Sequence, residues 1–208
     1  MFYRPGHEHH GLPRNPFNAL VVPRPIGWVS SLAADGTANL APYSFFNAVS
    51  YGPPQVMFSA GQRPHRKGDP YDPKDSQTNP EATGEFVCNM ATWDLRAAMN
   101  LTSEHVPPGV DEFDHAGLTK ALAETVAPPR VAESPIHLEC RYLQSVRLKA
   151  KEGYGPNVLV IGEVTGIHID DAVLTDGFVD MDKVRPIGRL GYLDYVTVDD
   201  VWTMPRPD

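Results

Sequence analysis

The chain has 208 residues, with 18 basic side chains against 26 acidic ones and a formal net charge of −8. That length suits one domain with decorations, and folding it hides roughly 70% of the unfolded surface without staples. The acidic balance argues against nucleic-acid binding, which needs a basic face, and no apolar run approaches the ~20 residues that span a bilayer. Cys88 and Cys140 both lie in apolar runs and read as buried free thiols of a reducing cytoplasm. The first 17 residues lack the basic start and apolar core of a signal peptide, so a cytoplasmic location is expected. The 21 prolines and 17 glycines are scattered, which indicates many turns and not disorder.

In chain order, residues 1–17 read as an extended arm that runs on to Val22. A strand is expected from Ile26 to Ala33, a hairpin turn at Asp35-Gly36, and a second strand from Ala38 to Phe46. Pro53 and Pro54 break the chain before a third strand, Gln55 to Ser59. Residues 60–80 form a long polar loop, a length that is usually functional. Gly84 to Met90 is a fourth strand. Trp93 to Thr102 has helical spacing, Gly117 to Val126 suggests a weak second helix, and the region 91–130 reads as a helical insertion. Strands return at Ile136 to Ala150, bent or bulged, then at Val158 to Ile169 and Tyr195 to Val198. Short strands with hairpin signals and few helices predict an all-β antiparallel barrel with peripheral helices, in a single domain spanning 1–208.

No GxGxxG follows the first strand, and there is no GxxxxGK[ST] loop, no GxSxG elbow and no zinc-spaced cysteine pair. His7, Glu8, His9 and His10 sit in a terminal arm, where such residues are more often only polar, and no metal site is expected. Three segments carry candidate chemistry. Ser44, Phe45, Phe46 and Asn47 set small polar groups beside aromatics, as a flat polar ligand requires, although an ordinary strand has the same pattern. Between 63 and 74, Arg63, Arg66, Lys67 and Lys74 stand against Asp69 and Asp72, four positives minus two negatives. Lys74, Asp75, Ser76, Thr78 and Asn79 then offer groups suited to a phosphate, or alternatively a solvated loop with Ser76 or Thr78 as an N-cap. Third come His168 and Arg189, the latter between two glycines. Each reads either as structural or as an anion partner. His137 and Glu139 read as packing or interface residues.

Taken in order, PRPIGWVSS (23–31), NLAPYSFFN (39–47), PPQVMFS (53–59), KDSQTN (74–79), TGEFVCNM (83–90), DEFDHAGLT (111–119), SPIHLEC (134–140), GEVTGIHID (162–170) and RPIGRLGYLDY (185–195) resemble the flavin reductase-like family of FMN-binding split barrels. That family includes the reductase components of two-component monooxygenases and the flavoredoxins. The resemblance implies a six-stranded antiparallel Greek-key split β-barrel and a homodimer with FMN near the subunit interface. It implies a ring site at Ser44, Phe45, Phe46 and Asn47 and the strand holding Trp28, Ser30 and Ser31. Ser59, Lys74, Asp75, Thr78 and Asn79 would serve the ribityl chain and phosphate, with His168 and Arg189 closing over the cofactor. Residues 61–73 are longer and richer in proline than the family's usual link before the KD motif. The activity implied is hydride transfer from NAD(P)H to flavin, with no obligatory side-chain acid or base and with a monooxygenase or other redox protein as a possible partner. The alternative is a non-enzymatic FMN electron carrier of flavoredoxin type.

Overall fold

The computed structural model describes residues 1–62, 73–107, 109–151 and 155–207. Fourteen strands are assigned among them. They are β1 (Arg24–Pro25), β2 (Gly27–Leu32), β3 (Ala38–Tyr43), β4 (Phe46–Tyr51), β5 (Pro54–Ala60), β6 (Glu85–Met90), β7 (Lys120–Ala121), β8 (Arg130–Val131), β9 (Ile136–Arg147), β10 (Val158–Ile169), β11 (Leu174–Thr175), β12 (Phe178–Val179), β13 (Ile187–Arg189) and β14 (Tyr195–Thr197). Four short helices accompany them: α1 (Asp75–Thr83), α2 (Arg96–Leu101), α3 (Glu112–His115) and α4 (Met181–Val184).

Seven strands form one antiparallel sheet in the order β3-β2-β6-β9-β10-β5-β4. Its two edge strands, β3 and β4, are consecutive in the chain and separated only by Ser44 and Phe45. In a flat sheet, six intervals of about 4.8 Å would hold those edges roughly 29 Å apart. Three backbone steps from Tyr43 to Phe46 reach about 11 Å at most. The sheet therefore rolls over until its edges meet at this connection, and the Ser59 N–H, donating to the Phe45 carbonyl at 2.8 Å, carries the β4–β5 pairing one residue into it. The expected second strand, Ala38 to Phe46, is thus two strands with a bend, and the sheet counts seven strands where six were anticipated.

Alternation along the strands makes two large apolar cores, beside a small cluster of Ile136, Val173 and Val184. Val29, Val56, Phe58, Phe86, Cys88, Cys140 and Val160 fill the barrel. Trp28, Leu40, Met99, Phe113 and Val131 fill a second layer between the outer face of β2–β3 and helices α2 and α3. Strand β2 is covered on both faces, and Gly27 to Ser31 are all buried. Both cysteines are free and buried, as expected.

Two expectations fail locally. Residues 75–80, the end of the expected 60–80 loop, are helical and belong to α1. The buried face of α1 is Ser76, Gln77, Asn79 and Pro80, so no apolar periodicity announces it. Conversely, Gly117 to Val126 is not helical. Gly117 has a φ of 67° that ends α3, and β7 pairs with β8 just beyond. The stretch 91–130 consequently holds only two short helices among its described residues. The bulges expected in the long strand are present, as register shifts between β9 and β10.

Helix α1 is held by polar contacts. Ser76 Oγ donates to Asn39 Oδ1 at 2.8 Å, Asn39 Nδ2 donates to Glu112 Oε1 at 2.9 Å, and the Leu40 N–H donates to Glu112 Oε2 at 3.1 Å. Burial raises the Glu112 carboxyl above its ordinary range, against the pull of the Leu40 and Asn39 donors. Replacing Glu112 with Ala strands the Leu40 N–H and the Asn39 amide without water. The unfolding free energy should fall by about 2–4 kcal/mol in urea titrations. A loss below ~0.5 kcal/mol would show that this network carries no weight.

Candidate active site

The seam of the barrel is also where the ring segment lies. A cavity of about 790 Å³ opens beside it, walled by Ser44, Phe45, Phe46 and Asn47. Strand register explains the rest of the wall. Asn47 pairs with Met57, and Ser59 pairs with Leu159. These four line the cavity, while Phe58 and Val160 point into the barrel. Gly27 opposite cannot carry a side chain, because a Cβ there would stand 2.5 Å from the Phe46 ring. Ser59 is 6% exposed, and its Oγ is buried without a hydrogen-bond partner. An orphaned buried hydroxyl costs about 1–3 kcal/mol, which makes Ser59 the unsatisfied polar group of this wall. Lys149 and Lys151 stand on the far wall.

Lys74, Asp75 and Thr78 occupy the start of α1, with Lys74 as its N-cap. The Lys74 ammonium lies 5.6 Å from the centre of the Tyr43 ring, and Tyr43 precedes Ser44 in the chain. A lysine at an N-cap supplies no side-chain acceptor to the first-turn N–H groups, and none is made here. It also places positive charge at the positive end of the helix. The residues expected between 63 and 72, among them Arg63, Arg66 and Lys67, lie outside those described.

Several expected ring contacts are elsewhere. Trp28 is wholly buried, its indole N–H donating to Thr102 Oγ1 at 2.9 Å. Ser30 donates to the Pro129 carbonyl, and Ser31 accepts from Asn79 Nδ2 at 3.1 Å. The side chains of Trp28, Ser30, Ser31 and Asn79 therefore fasten β2 to its surroundings and do not face the cavity. The reason is that β2 is central and covered on both sides. Asn89 does similar work, donating to the Trp28 carbonyl and accepting from the Val131 N–H.

His168 is also absent from the cavity wall. It lies nine residues along β10 from Leu159, roughly 30 Å at strand rise, and joins a separate cluster. There His168 contacts the fully buried Glu139, which also accepts from Glu124 N, Thr125 N and Thr125 Oγ1. Burial alone would raise the Glu139 carboxyl, but these donors outweigh it and hold it at about 2. His137 packs edge-on to His168 with ring centres 5.9 Å apart, and its Nε2–H donates to the Val131 carbonyl at 2.8 Å. The reading of His137 and Glu139 as packing residues agrees with this arrangement.

Arg189 lines a second cavity, of about 480 Å³, that adjoins the first and shares Asn18, Arg24 and Ser44 with it. Arg24 was not singled out from the sequence. It is 6% exposed, and its guanidinium donates to the carbonyls of Asn18, Val21 and Leu190. That ties the N-terminal arm to the 190–194 turn. Its place beside Pro25 in the PRPIG segment was the one available signal.

A barrel closed through an aromatic-polar seam, with a ligand-sized cavity at that seam, is the split-barrel arrangement of flavin proteins. A family model for the flavin reductase like domain matches residues 19–188, and the chain belongs to that family. A protein of Aquifex aeolicus (strain VF5) is 41% identical over 178 residues, covering 85% of each chain. Nitrilotriacetate monooxygenase component B from Bacillus cereus superposes with a TM-score of 0.88 at 27% identity, covering 98% of each chain. Flavoredoxin of Desulfovibrio vulgaris (Miyazaki F) shares the fold, with a TM-score of 0.73 at 20% identity over 88% of this chain and 91% of its own.

Burial lowers the His137 imidazole to about 4, assisted by Arg130 and His168 and opposed by the Val131 carbonyl and Glu139. Its unfolded value is higher, so the neutral form stabilises the fold. That contribution is complete above about pH 6.5 and lost as pH falls toward 4, a loss of about 2–3 kcal/mol. Urea midpoints of the wild type should drop over this window. His137→Gln should lack that part of the slope, and an unchanged slope in the variant would refute the assignment.

Proposed function

We propose that this protein binds FMN in the seam cavity and transfers a hydride from NAD(P)H to flavin, as a flavin reductase. The observation that carries this reading is the unpartnered, buried Ser59 hydroxyl on the same wall as Ser44 to Asn47. The fit to a flavin is good. The cavity lies within the ~300–1,000 Å³ of ordinary small-molecule pockets, mostly apolar with a few convergent polar groups. Phe45, Phe46, Met57 and Leu159 supply flat or flexible apolar surface for the ring. Ser44, Asn47, Ser59 and Asn157 supply hydrogen bonds that fix its orientation. Lys74, Asp75 and Thr78 line neither cavity, so the phosphate would have to reach past Ser44 toward Tyr43 and the start of α1, where the N-cap is a cation.

Bound FMN supplies the redox chemistry, and the protein's share is binding, orientation and electrostatics. The absence of a catalytic triad is therefore expected. Phe45 and Phe46 give the cavity apolar cover, and the positive charges of Lys149 and Lys151 in its lining favour an anionic group. The adjoining cavity favours a reductase over a carrier, because a carrier served by a protein partner has no use for room for a second small molecule. A cytoplasmic homodimer delivering reduced flavin to a monooxygenase is the setting that fits this activity.

Purified protein should show flavin absorption that bleaches when NADH or NADPH is added without oxygen. Absorption that persists with both nucleotides would sink the reductase reading and leave the electron carrier. Ser59→Ala tests the site itself. Losing an orphaned hydroxyl should leave the flavin-free protein unchanged or up to ~1 kcal/mol more stable, while weakening FMN about fivefold to tenfold in fluorescence titrations. Unaltered FMN affinity would remove Ser59 from the site.

A further inference from the structure

The cavity of about 480 Å³ beside the flavin cavity has a composition of its own. Two guanidiniums, Arg24 and Arg189, line it, and no aspartate or glutamate does. Neither arginine has an ion pair among the described residues, in a chain of net charge −8. Arg24 is fixed by three carbonyls and is 6% exposed, and its Nε is buried with no acceptor. Arg189 is aimed by donating to the Tyr195 hydroxyl and the Tyr192 carbonyl, and it lies 4.4 Å from the centre of the Tyr195 ring. Burial and the like charge of Arg189 both disfavour the charged form of Arg24. Two preorganised cations that destabilise one another, with no carboxylate beside them, form a site for an anion. The remaining polar lining is neutral and has both donors and acceptors: the amides of Asn15, Asn18 and Asn100 and the hydroxyls of Ser44, Ser103, Tyr192 and Tyr195. An amide and sugar hydroxyls match such groups, and a bare aromatic carboxylate would leave most of them unsatisfied.

We propose that this second cavity receives the nicotinamide mononucleotide half of the electron donor, with its phosphate held between Arg24 and Arg189. The assignment rests on the flavin-reductase reading and gives Arg189 a role toward the second substrate instead of the flavin. Shared walls at Asn18, Arg24 and Ser44 bring the two cavities together, as transfer between two rings requires. Tyr192 and Tyr195 are positioning residues, since they act by aiming Arg189.

The test is calorimetric titration of the FMN-loaded protein with oxidised nicotinamide mononucleotide, with nicotinamide riboside, which lacks the phosphate, and with benzoate. The mononucleotide should bind at least tenfold tighter than the riboside. Arg189→Gln should abolish that difference with FMN content unchanged, Arg189→Lys should restore part of it, and Tyr195→Phe should weaken the mononucleotide without altering the riboside. Equal affinities for mononucleotide and riboside in the wild type would overturn the proposal, as would a preference that survives Arg189→Gln. Tighter binding of benzoate would overturn it in favour of an aromatic carboxylate. Loss of FMN from Arg189→Gln would overturn it by returning Arg189 to the flavin, leaving the FMN reading intact. A wild type that takes up no FMN would instead refute that underlying reading, and the same titration on the flavin-free protein would still report whether the cavity prefers the phosphate.

Discussion

Ser44 and Phe45 are the two residues on which this architecture turns. They join opposite edges of a seven-stranded sheet, and a connection that short is possible only if the sheet curls until its edges touch. Where the edges meet, a short irregular stretch interrupts the ladder, and most of β4 beyond it stays exposed. A segment withdrawn from regular pairing presents backbone and side-chain groups to whatever lies outside it. The same constraint that closes the barrel therefore creates the place for a ligand, and the aromatic pair Phe45 and Phe46 borders the cavity there.

The rest of the molecule supports this seam from two directions. Inside, Phe58, Phe86 and Val160 keep the barrel full, and a Cβ at Gly162 would stand 2.5 Å from the Phe86 ring, so the packing is close enough to need glycine there. Outside, α1 sits over β2 and β3 through hydrogen bonds instead of apolar contact, linking Ser76, Asn39 and Glu112 in one chain. A polar attachment specifies one position for the helix, because displacement would leave several buried groups unpaired at once. That position sets Lys74 near Tyr43, next to the seam. The cluster of Glu139, His137 and His168 lies far along β10 and ties the 124–131 segment to the barrel.

Much of the fold was legible in the residues. The hairpin at Asp35-Gly36, the long strand Val158 to Ile169 and the bulged strand before it follow from alternation and turn chemistry, which are local. Helix α1 was not legible, because its buried face is polar and its partners are 37 and 48 residues away along the chain at Asn39 and Ser31. Gly117 to Val126 misled for the opposite reason. Its composition tolerates a helix, but Glu133 takes the Thr119 N–H and β7 pairs with β8. Of the proposed site residues, Ser44 to Asn47 and Ser59 line one cavity, while the side chains of Trp28, Ser30 and Ser31 turn to Thr102, Pro129 and Asn79. A period of two tells which residues share a face but not whether that face is covered.

The amino-acid pattern alone was sufficient for the antiparallel β class and the family, because these depend on near-neighbour rules and on motifs in order. Tertiary structure decided which side chains meet. It turned Asn79 and Ser31 into a fastening, put His168 at the other end of the barrel, and brought Arg24 beside Arg189 across 164 intervening positions of chain, linked through the Leu190 carbonyl. The physical reason is closure. Rolling a sheet into a barrel pairs residues by strand order and register, and neither is written in the spacing of any single segment.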